Sequence, residues 1–95
     1  MIRVSVSYPS GEGMTFDHDY YRNSHVPLAL NAWGLNRADI DKGVNGPSVA
    51  AVHFYFESME AMGVAMAKPE TAAVMADVAN YTNITPVMQV SEMVA

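Results

Sequence analysis

The sequence has 95 residues, no cysteine and a formal charge of −5, and 51% of its residues are hydrophobic while 16% are charged. This length has room for one domain, residues 1–95, and the absence of cysteine excludes disulfides and thiolate metal sites. Few basic residues and no apolar run of ~20 residues argue against nucleic acid or a membrane as partner, so we expect a cytoplasmic protein.

The first part of the chain predicts a strand, a loop and a helix. Residues 2–8 alternate apolar and polar side chains, which is typical of a strand with one buried face. The turn-forming residues 9–13 follow. Thr15 is the predicted helix cap, and Asp17 lies in the first turn, where its charge complements the helix dipole.

The predicted first helix runs to about Trp33–Gly34 and contains an interruption. Pro27 lacks an N–H and its ring clashes with the preceding turn, so we expect a bend, or the end of the regular first part near Val26. Gly34 is a plausible stop.

The remainder predicts two more strands, two short helices and a last strand. Residues 36–43 and 49–56 should form a hairpin around a Gly-, Asn- and Pro-rich turn. Ser58 should cap a helix bearing Met59, Met62 and Met66 on one face. A second helix follows Pro69 over about 70–79, with Val74, Met75 and Val78 inward, and residues 84–94 form the last strand.

The element order is therefore βαββαβ, which is the α+β ferredoxin-like arrangement of a four-stranded antiparallel sheet with helices on one face. One chain has no element left to cover the other sheet face. The high apolar content predicts that a second copy covers it, giving a homodimer built sheet against sheet.

His25 is the best candidate for chemistry. Residues three and four apart share a helix face, which places it in one stripe with Tyr21, Leu28 and Ala32, directed toward the sheet. Apolar surroundings disfavour the charged imidazole, so His25 would be neutral near pH 7 and available as a base. The structural alternative is a core histidine that bonds a backbone carbonyl, such as that of Asn23.

Other polar residues are secondary candidates for substrate binding. Tyr20 and Tyr21 point in different directions, so at most one should share the cleft with His25, and Tyr21 is favoured to orient a substrate oxygen. His53 can face the cleft or the dimer interface. Asp77 and Asn80 can supply a second polar contact, or simply end the last helix.

Metal and nucleotide sites are disfavoured. His18 and His25 are seven residues apart, which lacks the four-residue step that joins two metal ligands on one helix. No glycine-rich phosphate loop or nucleotide fingerprint is present. We therefore expect no metal and no bound cofactor.

The segment FDHDYYRNSHVPL, residues 16–28, resembles the EthD family, named for a protein linked to ethyl tert-butyl ether degradation. The segments 56–58, 77–82 and 86–89 and the proline that opens the last helix are also similar to that family. The resemblance implies a dimeric α+β barrel with a histidine at position 25. Similar barrels include cofactor-free monooxygenases, lactone isomerases and polyketide cyclases that act on small, mostly apolar ring compounds, and fold alone does not choose among them.

Two hypotheses follow. The first is a cofactor-free, monooxygenase-like oxidoreductase, or alternatively a lactone isomerase or cyclase-type enzyme, that holds a small apolar or aromatic catabolite between the first helix and the sheet, with His25 as base and Tyr21 orienting the substrate. The second is a non-catalytic accessory or small-molecule-binding barrel.

Overall fold

A four-stranded antiparallel sheet carries all the other elements. The computed structural model describes residues 1–95. Strand β1 spans Ile2–Pro9, β2 spans Ala38–Lys42, β3 spans Ser48–Phe56 and β4 spans Val87–Glu92, and they lie in the order β2–β3–β1–β4. The predicted α+β, ferredoxin-like βαββαβ order is confirmed, with the helices on one sheet face.

The first helix, α1, is continuous from His18 to Trp33 but changes its winding. An α-helical turn at His18–Tyr20 leads into a π-helical segment, Tyr21–His25, and α-helical bonding resumes over Val26–Trp33. In the wide turn the N–H of Val26 donates to the carbonyl of Tyr21, five residues earlier. The predicted interruption near Val26 therefore takes the form of a π-bulge, next to the proline that lacks an N–H.

Two predictions for the ends of α1 have different outcomes. Asp17, not Thr15, is the cap, because its side chain accepts a 3.1 Å hydrogen bond from the N–H of Tyr20. At the other end Gly34 adopts φ 68°, a left-handed conformation that favours glycine, and it stops the helix where the sequence predicted.

The hairpin and the two shorter helices complete the fold. Helix α2 spans Met59–Met66, and the predicted cap is correct, since the Ser58 side chain accepts from the N–H of Ala61. Helix α3 spans Glu70–Ala76 and tightens into a 3₁₀ turn over Asp77–Asn80. Between β2 and β3, a Cβ on Gly43 would collide with the carbonyl oxygen of Ser48, so this turn requires glycine. None of the helices combines the length and apolarity needed to cross a bilayer.

The hydrophobic core lies between the sheet and the helices. Alternate residues of β1 and β3, such as Val4, Val52 and Phe54, are buried against α1 and α3. The predicted methionine face is only partly inward: Met59 is exposed, and Ala65 is the buried residue of α2.

The opposite sheet face is more polar than the composition predicted. Antiparallel pairing places Ser5 beside His53 and His53 beside Asp39, so three polar side chains form one row across the sheet. Much of the surplus apolar surface lies elsewhere, on the outer sides of helices, in loops and on the edge strand β4.

Candidate active site

A cavity of about 150 Å³ lies between the sheet and helices α1 and α3. Strands β1, β3 and β4 form its floor, and side chains of α1 and of the region 74–78 form its walls. The lining is predominantly apolar and partly aromatic, and His25 is its only side chain that titrates near neutral pH. An apolar hollow with a few convergent polar groups is the usual form of a small-molecule site.

A carboxylate holds the imidazole of His25 through a hydrogen bond. Its Nδ1 lies 2.9 Å from Oδ2 of Asp77, and the side chains are 7% and 13% exposed, respectively. The hydroxyl of Tyr20 (2.8 Å) and the amide of Asn80 (2.9 Å) both donate to Oδ1 of the same carboxylate. Since an ionised carboxylate only accepts, Nδ1 must carry a proton, which leaves Nε2 as an acceptor in the neutral ring.

The electrostatics favour this protonation state. Burial lowers the pKa of His25, and this effect outweighs the attraction of Asp77 for a charged imidazole. Burial alone would raise the pKa of Asp77, but the hydrogen bonds from Asn80, His25 and Tyr20 together lower it. Near neutral pH the pair is therefore a neutral imidazole beside a carboxylate, which is the arrangement of a general base with an orienting partner.

A cluster of tyrosines surrounds the imidazole. The ring of Tyr21 stacks on His25 with centroids 5.5 Å apart and an interplanar angle of 14°, and Tyr81 lies 4.5 Å away on another side. The hydroxyls of Tyr8 and Tyr81 hydrogen-bond each other at 2.6 Å. Burial raises the pKa of both Tyr21 and Tyr81, so these phenols stay protonated and can donate hydrogen bonds.

Tyr21 differs from its neighbours because its hydroxyl is buried without a hydrogen-bond partner, in a residue that is 1% exposed. Leaving a buried hydroxyl unpaired costs about 1–3 kcal/mol. Tyr21 also lines the cavity. The hydroxyl itself has less than 1 Å² of accessible surface, so it is shielded from the cavity and the unpaired Nε2 of His25 is the free polar group of the site.

Sequence comparison identifies the family. The model of the EthD domain matches residues 11–85. The chain belongs to the EthD family. It is 38% identical to an EthD-like protein from Ralstonia eutropha JMP134, whose crystal structure superposes with a TM-score of 0.89 over 99% of this chain and 92% of that one.

This EthD chain is also similar to a second protein in sequence and to a third in fold. An uncharacterised 11.0 kDa protein from the thcB–thcC intergenic region of Rhodococcus erythropolis is 30% identical over 88 residues, 87% of this chain and 85% of that protein. SnoaB of Streptomyces nogalater, a cofactor-independent oxygenase, is 9% identical, with a TM-score of 0.72 over 99% and 92% of the two chains. At that identity the likeness shows a shared fold.

The EthD motif on α1 supplies the cavity with Tyr21 and His25, while other candidates lie elsewhere. Tyr20, Asp77 and Asn80 do not line the cavity and instead form a hydrogen-bond network that holds the imidazole, and their contact with substrate stays a prediction. The structural alternative for His25 needs correction, because its ring bonds the Asp77 carboxylate and not a backbone carbonyl.

The structure gives the direction of two further side chains. His53 faces away from the cavity, because its strand neighbours Val52 and Phe54 are the buried, cavity-lining residues; it bonds Ser5 and Asp41 instead. Leu28 is exposed, because the wide π turn shifts the buried stripe of α1 to Ala29.

Sequence reasoning did not name Tyr8 or Tyr81 as site residues. Tyr8 is the last inward residue of the alternating first strand, and this position was the available signal for its place in the cavity lining. Tyr81 lies in the segment 77–82 that is similar to the EthD family, but only Asp77 and Asn80 of that segment were predicted to contact substrate. No group of three or more His, Asp or Glu side chains is arranged to hold a metal ion.

Proposed function

We propose that this EthD-family chain is a cofactor-free oxidoreductase in which His25 removes a proton from a small apolar or aromatic substrate. The observation that carries the proposal is the 2.9 Å contact between Nδ1 of His25 and Asp77 at the wall of an apolar cavity. That contact leaves Nε2 as the basic atom, and the proposal requires that Nε2 faces the cavity.

The proposed step begins with proton abstraction. Nε2 of His25 takes a proton from an acidified C–H bond, and the electron pair of that bond stays on the substrate. The imidazolium that forms is stabilised by Asp77.

Dioxygen is the proposed co-reactant. The carbanion transfers electrons to dioxygen and a C–O bond forms, after which the peroxide anion takes the proton back from His25. The hydroperoxide then loses water to leave a carbonyl group, so the substrate is oxidised and dioxygen is reduced. The shared fold with SnoaB supports this choice, because that fold accommodates oxygenation by a cofactor-independent protein.

An isomerase is the second candidate, and the same base favours it, because a buried imidazole can return the proton to a different carbon without any co-reactant. Deuterium exchange separates the two. An isomerase incorporates solvent deuterium at carbon without consuming oxygen, whereas the oxidoreductase consumes one dioxygen per substrate.

The test is oxygen uptake and deuterium exchange with a panel of single-ring compounds that carry an acidic C–H bond. His25→Gln should lower the rate by about 10²–10⁴-fold, the usual contribution of a general base. His18→Gln is the matched control, because His18 begins the same helix but does not line the cavity. If His25→Gln keeps the wild-type rate, His25 is not the base, and if wild type binds these compounds without uptake or exchange, the chain is a binding protein. Either result defeats the proposal.

The proposed assembly is a homodimer in which the open sheet faces meet. Val49, Ala51 and Val87 give one end of this face an apolar strip, and Val87 is 56% exposed in the single chain. Sedimentation at several concentrations should give a dimer mass, and Ala51→Arg should convert it to a monomer, because a buried charge at a sheet interface is costly. A monomer mass for the wild-type chain would contradict this assembly.

A further inference from the structure

We infer that Met75 and Met88 form the outer end of the cavity and limit its ligand to a single apolar ring. The inference rests on the proposed function, because it concerns the same cavity, and it names two residues that set the size of the substrate. It is carried by the position of these two exposed side chains in a lining that is otherwise buried or half-buried.

The cavity opens between α3 and β4. Its inner walls are buried, and Val4, Phe54 and Val74, for example, are at most 3% exposed. By contrast, Met75 of α3 is 47% exposed and Met88 of β4 is 48% exposed, and no other lining residue is exposed. Since a cavity reaches solvent where its lining is exposed, these two methionines mark its outer end.

The register of the sheet explains why Met88 lies at this end. Met88 pairs with Val6, and Val6 pairs with Val52, so the three side chains form one row on the helix side of the sheet. Val52 on an inner strand is 2% exposed, whereas Met88 lies on the edge strand β4. The opposite face carries Ala51 and Val87, so the proposed dimer contact lies on the side of the sheet away from Met88.

The outer end offers a ligand no polar group. The half-buried lining residues Val78 and Pro86 come from the same two regions of the chain as Met75 and Met88. None of these four side chains is charged or carries a hydrogen-bond donor. A charged ligand that enters here would lose water without gaining a partner, which is costly. This end of the cavity therefore selects by size and favours neutral, apolar ligands.

The two methionines limit how far a ligand can extend. About half of each residue is covered by the surrounding protein. Rotating either side chain outward to make room would expose that apolar surface to water, which is unfavourable. The enclosed volume of about 150 Å³ equals that of an engineered apolar protein cavity that takes up benzene. A second fused ring would need the space that the thioether side chains occupy.

NMR titration of the purified protein with benzene and naphthalene tests the inference. Trp33 is the single tryptophan of the chain and lines the cavity, so its indole N–H resonance reports a ligand bound there. In wild type, naphthalene should bind at least about tenfold more weakly than benzene, because the second ring overfills the cavity. Met75→Ala and Met88→Ala should each bind naphthalene about tenfold more tightly than wild type and change benzene affinity by less than about threefold.

Met59→Ala is the matched control, because Met59 is 54% exposed on α2 and does not line the cavity, so this variant should bind both compounds like wild type. The inference is overturned if wild type does not bind benzene, if either cavity variant keeps the wild-type preference, or if Met59→Ala shows the same gain.

The outcomes also separate this inference from the proposed function. Neither hydrocarbon carries an acidic C–H bond, so their binding is measured without turnover. If the size limit depends on Met75 and Met88 but no compound of the substrate panel causes oxygen uptake, only the proposed function fails. If oxygen uptake occurs with single-ring compounds but both cavity variants keep the wild-type size limit, only the inference fails.

Discussion

Replacing Tyr21 by phenylalanine should stabilise this protein, whereas the same replacement at Tyr8 should destabilise it. Both residues belong to one aromatic cluster, with ring centroids 5.4 Å apart, and both are almost fully buried. They differ in one respect, because the Tyr8 hydroxyl bonds Tyr81 at 2.6 Å while the Tyr21 hydroxyl has no partner.

The magnitudes follow from that difference. Deleting the unpaired hydroxyl of Tyr21 removes a desolvation penalty of about 1–3 kcal/mol, part of which is offset by imperfect repacking, so we expect a gain of about 1 kcal/mol. Tyr8→Phe loses a hydrogen bond and strands the buried hydroxyl of Tyr81, which costs about 1–2 kcal/mol. For a domain of this size, 1 kcal/mol shifts the Tm by roughly 4–8 °C.

Differential scanning calorimetry at one fixed protein concentration measures both shifts, since a dimer would make the Tm depend on concentration. Tyr21→Phe should melt above wild type and Tyr8→Phe below it. If Tyr21→Phe instead melts several degrees below wild type, its hydroxyl has a partner in the folded chain, and the stabilisation expected from removing an unpaired hydroxyl is refuted.

Three further predictions concern the hydrogen bonds made by His25 and by Trp33. Asp77→Asn removes the carboxylate that attracts protons to His25, so the pH at which the rate rises should move lower. The plateau rate should fall at least tenfold. An unchanged pH–rate profile would show that Asp77 does not influence the protonation of His25. Because the pKa of His25 is lower when folded, the unfolded chain protonates first as the pH falls, so the free energy of unfolding should decrease from the ordinary histidine pKa down to the lowered one. Urea titrations should find this decrease missing in His25→Gln, and its persistence there would assign it to another group. Thr71→Val breaks the relay from Trp33 through Thr71 to the carbonyl of Ala65 and should cost about 1–3 kcal/mol in urea unfolding, with a loss below 0.5 kcal/mol contradicting the relay.

The fold was predictable because its signals are local. Alternation in β1 and β3, the Ser58 cap and the glycine stop at Gly34 each depend on a few neighbouring residues, and all four agree with the structure. The signal for an interruption at Pro27 was also local. The π-helical form of this interruption could not be predicted, because proline prevents the regular bonding pattern but does not determine how the helix adjusts.

The candidate site was only half predictable. His25 and Tyr21 share a helix, so their common face could be read from spacing. The partner of His25 could not, since Asp77 is 52 residues away and meets it only after the sheet brings α1 and α3 together. Tyr20 bonds the same carboxylate from a different side of the helix, so helical spacing alone did not group Tyr20 with His25.

The polarity of the open sheet face could not be predicted from single strands. Ser5, His53 and Asp41 form a hydrogen-bonded set across three strands, at 2.8 and 2.9 Å, which the alternating pattern of β3 alone did not predict. Register determines which polar side chains meet, and register is a property of the sheet and not of one strand.

The proposed chemistry depends on a neutral His25 whose Nδ1–H faces Asp77 and whose Nε2 faces the cavity. Nitrogen NMR of the imidazole measures the tautomer and the pKa of this ring directly. His25 should carry a proton on Nδ1 and none on Nε2 near neutral pH, and its pKa should lie below that of a free histidine. A ring protonated on Nε2, or a charged imidazolium at neutral pH, would contradict it.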